Sequence, residues 1–260
     1  MRAMPIRIYT GSAGLMQMKA SFKKNWKHYL QEAFGLAIFM FSACFFNVLL
    51  WGSDISLHIT IENELVRNIV TGLLMGATAL FIFYAPFTAP SGAQINPAVT
   101  ITFLRLDKMC RYDALFYILF QLIGGLLAVY AVTSLMSNNT TAVPVKYAVT
   151  VPGKSGAIPA AITEYIIAII TMMMVLFTSS HRIFKKYTRI FAACFVCVWV
   201  ILAGPLSGFG MNPARSFASA LPSHIYTSFW IYITMPFAGM LTAAEFYLIA
   251  EKKIMGPATE

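Results

Sequence analysis

The sequence predicts an all-α integral membrane protein with six transmembrane helices plus two re-entrant half-helices, arranged as an inverted 3+3 repeat. Three observations carry that expectation. Of the 260 residues, 58% are hydrophobic and only 11% charged, too apolar for an ordinary soluble domain. Apolar segments long enough to cross a bilayer alternate with short polar or basic connections. Two stretches match in register at Ser, Gly, Asn, Pro and Ala: Ser91 to Ala98 (Ser-Gly-Ala-Gln-Ile-Asn-Pro-Ala) and Ser207 to Ala214 (Ser-Gly-Phe-Gly-Met-Asn-Pro-Ala).

In chain order, residues 1–26 carry Arg2, Arg7, Lys19, Lys23 and Lys24 without the apolar run and cleavage site of a signal peptide. They predict a basic cytoplasmic N-terminal tail, either disordered or a weak membrane-surface helix. A membrane-spanning domain follows at 27–250, its first repeat at about 27–136 and its second at about 157–250, and residues 251–260 form a cytoplasmic C-terminal tail. The first span runs from about Tyr29 to Trp51, interrupted by Glu32, and a loop with Asp54, Glu62 and Glu64 leads to a second span from about Val66 to Phe87. The first matched stretch comes next, then Arg105, Asp107, Lys108 and Arg111 at an aqueous boundary. A third span, about Tyr112 to Met136, contains Gly124 and Gly125, small residues that allow close helix approach. The polar connection Asn138 to Pro152 carries the glycosylation pattern at Asn138 and Asn139.

The fourth span, about Ala157 to Thr178, has Glu164 near its start, as the first has Glu32. His181, Arg182, Lys185, Lys186 and Arg189 precede a fifth span at about Ile190 to Leu206. The second matched stretch and a sixth span, about Ile225 to Ala250, complete the chain. With both ends inside, every one of the 19 Lys and Arg except Arg67, Lys146, Lys154 and Arg215 falls on the cytoplasmic side, so the net charge of +9 is a topology signal and not a nucleic-acid surface. Three spans per half then force opposite topologies on the two halves.

Each matched stretch reads as a helix start. Asn96 and Asn212 cap exposed N–H groups, Pro97 and Pro213 sit at the first helical position, and Ala98 and Ala214 open short apolar runs of about 13 Å, half a bilayer. Two half-helices entering from opposite sides meet N-terminus to N-terminus near the midplane, where their dipoles oppose cations and the Asn amides offer donors to a neutral solute. On these twin Asn-Pro-Ala motifs the sequence resembles the aquaporin or major intrinsic protein family, from about Trp26 to Ala250.

The resemblance implies a passive channel for water and small uncharged solutes such as glycerol, without a cofactor, forming a homotetramer in a plasma or bacterial inner membrane. It implies a constriction of Gly76, Val200, Phe209 and Arg215. Gly76 and Val200 replace the bulky aromatic and the His of strict water channels, which points toward glycerol. Ser216 and Ala220, where glycerol facilitators carry an acidic and a basic residue, point back toward water. Gly76 has a second reading as a packing partner of Gly72. Glu32 and Glu164 are read as scaffold carboxylates for the loop backbones, against a proton-path alternative. An ion channel is the rival class, opposed by Arg215 and by the lack of an acidic ring near the motifs. An enzyme lacks a nucleophile and base together, and the four histidines have no zinc spacing.

Overall fold

The computed structural model describes residues 12–52, 59, 61–136 and 138–255; Asp54 and His58 lie outside the described residues. In order, the helices are α1 (Ser12–Trp51), α2 (Glu64–Tyr84), α3 (Pro97–Arg105), α4 (Arg111–Met136), α5 (Asn138–Thr141), α6 (Ala157–Ser180), α7 (Thr188–Leu202), α8 (Gly204–Ser207), α9 (Pro213–Ser223) and α10 (Phe229–Met255). Among the described residues there is no strand. Five of these helices are long and apolar enough to cross a membrane alone: α1, α2, α4, α6 and α10.

The expected fifth span is shorter than the sequence suggests. α7 has 15 residues and stops at Leu202, because Pro205 has no N–H to extend the ladder; the chain restarts as α8. α1 departs in the other direction. It is one helix of 40 residues, so the expected boundary at residue 26 falls inside it. The reason is a dock on α4: Ser21 Oγ, Asn25 Nδ2 and Tyr29 OH all donate to Asp113 Oδ1, at 2.5, 3.0 and 2.5 Å. Phe22 adds an edge-on ring contact to Phe116 at 5.1 Å.

The packing is that of a repeat. α1 lies on α4 and α6 on α10, α2 and α7 pack on each other between the halves, and each half-helix crosses over, α3 onto α10 and α9 onto α4. Both long pairs close on a glycine. A Cβ at Gly124 of α4 would collide with the Ala33 carbonyl of α1, and one at Gly239 of α10 would stand 2.5 Å from the Tyr165 carbonyl oxygen of α6. Ala33 and Tyr165 each directly follow a buried glutamate, so the glycines let α4 and α10 approach at the height where the loops are anchored.

Candidate functional site

The two matched loops have the same backbone. Gly92 and Gly208 are left-handed at φ 93° and 79°, Ala93 and Phe209 both at 48°, and Ile95 and Met211 at 45° and 42°. For residues with a Cβ this region is disfavoured, by about 1–3 kcal/mol each, and it persists only where the surroundings over-determine it.

Those surroundings are two fully buried carboxylates. Glu32 Oε1 accepts from Ser91 Oγ at 2.7 Å and the Gln94 N–H at 2.9 Å, while Oε2 accepts from the Ile95 N–H at 2.6 Å and Gln121 Nε2 at 2.8 Å. In the second half, Glu164 Oε1 accepts from Ser207 Oγ at 2.6 Å and the Gly210 N–H at 2.8 Å, and Oε2 accepts from the Met211 N–H at 2.5 Å. Each loop is tied a second time by a tyrosine that sequence reasoning missed: Tyr117 OH donates to the Ser91 carbonyl at 2.8 Å and Tyr232 OH to that of Ser207 at 2.6 Å. The loops thereby expose successive N–H groups to a carboxylate at membrane depth, where water is not available to satisfy them.

The loops deliver the two half-helices tip to tip. Asn96 Oδ1 accepts from the Ala98 N–H at 2.9 Å, and Asn212 Oδ1 from those of Ala214 and Arg215 at 3.1 and 3.2 Å. Each Asn amide also crosses the junction: Asn96 Nδ2 donates to the Met211 carbonyl at 2.9 Å and Asn212 Nδ2 to the Ile95 carbonyl at 2.6 Å. A primary amide has two N–H bonds, so one on each Asn is left over from these contacts. Pro97, Pro213, Ala98 and Ala214 are buried in the helix starts.

Two cavities lie at or beside this junction. One, about 300 Å³, is lined by Trp51, Glu64, Asn68, Thr71, Met75 and Val200 together with Phe39, Phe209 and Arg215. The other, about 180 Å³, is lined by Asn96, Asn212, Val99, Phe103, Thr188 and Arg189, again with Phe39, Phe209 and Arg215. The three shared side chains stand where the cavities adjoin. Arg215 Nη1 is buried there without a hydrogen-bond partner among the described residues, so its donor is free. Val200, Phe209 and Arg215 thus line one cavity.

Gly76 does not. It sits in the seam between α2 and α7, where a Cβ would stand 2.8 Å from Cys197 Cβ and 3.2 Å from the Ala193 carbonyl oxygen; Gly72 meets Ile201 and Cys197 in the same seam. One residue of helix turns the face by about 100°, so the side chain that α2 turns to the cavity here is that of its neighbour Met75. The surroundings of Gly76 are those of its second expected reading, packing beside Gly72. Phe39 was also missed, although it lies seven residues after Glu32, on the same face of α1. Ser216 and Ala220 are buried, Ser216 Oγ pairing with Thr150 Oγ1 at 3.0 Å, so both serve packing.

A sequence profile described as "Major intrinsic protein" matches residues 18–247. "Probable aquaporin NIP-type" of Nicotiana alata is 35% identical over 158 residues, 60% of this chain and 57% of that protein, so the chain spans little more than half the length of that relative. "Aquaporin NIP1-1" of Zea mays is 26% identical over 225 residues, 84% of this chain and 72% of that one. The solved structure of the aquaglyceroporin from Plasmodium falciparum superposes with a TM-score of 0.71 at 20% identity, covering 88% of this chain and 97% of that one, a likeness of fold.

Proposed function

The chain belongs to the major intrinsic protein family, and from that premise we propose that it is a multi-pass membrane channel, not an enzyme, passing water and small uncharged solutes, glycerol among them, while excluding ions and protons. The observation that carries this reading is the tip-to-tip junction: two Asn amides with free N–H bonds at the ends of two opposed half-helix dipoles, in a lumen whose cavities adjoin at Arg215. A neutral solute accepts those hydrogen bonds, whereas a cation meets positive potential from both sides.

Glycerol is supported by the chemistry of the narrow part. Phe39 and Phe209 offer an apolar corner to its carbon chain, Arg215 Nη1 a donor to its hydroxyls, and Val200 supplies no side-chain hydrogen bond that would favour water alone. Both termini lie in the cytoplasm by the positive-inside rule, in a plasma or bacterial inner membrane, with 1–26 and 251–260 as the cytoplasmic segments and 27–250 as the channel. Self-association as a homotetramer fits the large side chains exposed along α2, α4 and α6, among them Leu73, Phe81, Leu127 and Ile158.

The test is stopped-flow permeability of the purified protein in liposomes. Water and glycerol should both cross faster than in empty vesicles. Met75→Phe should depress glycerol relative to water by roughly tenfold, a barrier increment of about 1.4 kcal/mol. Water flux without glycerol flux above empty vesicles would make this a strict water channel.

A further inference from the structure

The backbone of Met211 is fully engaged, its N–H by Glu164 and its carbonyl by Asn96, but neither the anchor nor the junction uses its sulfur. Met211 keeps 8% of its surface, whereas Met40 and Met172 are sealed at 0%. What it meets is the smaller cavity, whose wall it shares with Asn96, Asn212 and Thr171. Thr171 fixes the thioether: its Oγ1 accepts from Trp199 Nε1 at 2.8 Å, which turns its own proton toward Met211 Sδ at 3.4 Å. A thioether sulfur carries two lone pairs, and this contact covers one of them. Among the described residues nothing hydrogen-bonds to the other.

We propose that Met211 is an oxidation site for hydrogen peroxide arriving along the lumen, and that its sulfoxide lowers the flux of water. The inference rests on the channel reading above, which brings a small uncharged hydroperoxide to a residue closed to bulk solvent. The open lone pair attacks one peroxide oxygen, the O–O bond breaks and an S–O bond forms. The departing hydroxide takes the proton of the transferred hydroxyl and leaves as water, so sulfur loses the two electrons that peroxide gains. Because Thr171 covers one lone pair, oxygen adds to a single face and one sulfoxide epimer forms. The product replaces a flexible apolar side chain by a polar one with a strong acceptor. That acceptor stands in the same cavity, of about 180 Å³, as Asn96 and Asn212, where it takes up space and competes with the solute for the amide N–H bonds.

The test treats the full chain in liposomes with hydrogen peroxide, removes the excess with catalase, and reads each methionine by peptide mass and water permeability before and after. Met16, 65% exposed, marks completion of the reaction. Met211 should gain one oxygen while Met40 and Met172 gain none. Of the two epimer-specific sulfoxide reductases, only one should restore the Met211 peptide after proteolysis, whereas the Met16 peptide needs both. Water permeability should fall at least about threefold on oxidation. In Met211→Leu, peroxide should leave the permeability of that variant unchanged; in Thr171→Val, where the sulfur loses its donor, Met211 should yield both epimers. Met211 unmodified when Met16 is fully oxidised, or oxidised only together with Met40 and Met172, overturns the luminal site. Both epimers at Met211 in the unaltered protein overturn the role of Thr171. Undiminished permeability with Met211 oxidised, or an equal fall in Met211→Leu, overturns the effect on flux. Permeability no higher than in empty vesicles before peroxide overturns the channel reading and the effect on flux together, while the peptide masses still decide the oxidation site.

Discussion

At the residue scale, the site depends on carboxylates that accept and on asparagines that donate. Among the described residues every hydrogen-bond partner of Glu32 and Glu164 is a donor, so a neutral amide at either position fits badly: one oxygen of Gln still accepts, while its NH₂ faces N–H or O–H groups. With each hydrogen bond to an ionised group contributing about 1.5–3 kcal/mol, Glu164→Gln should lose about 3 kcal/mol or more. Thermal unfolding in detergent should show a lowered midpoint and reduced folding yield. A normally folded Glu164→Gln protein whose flux has acquired a different pH profile would instead assign the carboxylate a titrating role. Glu32 and Glu164 were legible in sequence because a charge recurs at the same place in each half. Their tyrosine partners were not, since Tyr117 and Tyr232 are ordinary aromatic residues in apolar spans and only the fold brings them to Ser91 and Ser207.

At the element scale, the close approach of helices sets the height of the loops. Gly239→Ala places a methyl group 2.5 Å from the Tyr165 carbonyl oxygen and 2.8 Å from Ala168 Cβ, neither of which can swing away, so α10 must shift from α6. The expected cost is about 1–3 kcal/mol, read as a lowered unfolding midpoint. Gly204→Ala is the control, because nothing lies within 4 Å of its added Cβ, and its midpoint should hold. Gly76→Phe belongs to the same class: it would wedge α2 from α7 and impair assembly, whereas narrowing of the lumen is the effect of Met75→Phe. The start of α1 makes a separate prediction. Asp113→Ala removes the acceptor shared by Ser21, Asn25 and Tyr29, so trypsin should cut at Lys19, Lys23 and Lys24 several-fold faster in the variant, while far-UV helicity stays within a few per cent. Helix existence and caps were legible here because Asn-Pro at a helix start is local chemistry. The length of α1 was not, since it depends on a carboxylate more than eighty residues away along the chain.

At the scale of the whole molecule, the inverted repeat turns two local motifs into one site. The motif spacing and the charge distribution made that arrangement legible, because each depends on counting along the chain. Which face of α2 meets the lumen was not legible, since the 100° step between Gly76 and Met75 is decided by how α2 and α7 press together. The central claim is that the junction of Asn96 and Asn212, flanked by opposed helix dipoles and Arg215, passes neutral molecules and stops charge. The most direct measurement records osmotic shrinkage and internal pH in the same proteoliposomes under an imposed pH gradient. Water permeability should rise well above that of empty vesicles while the pH gradient decays no faster than in them; proton leak rising in step with water flux would contradict the account.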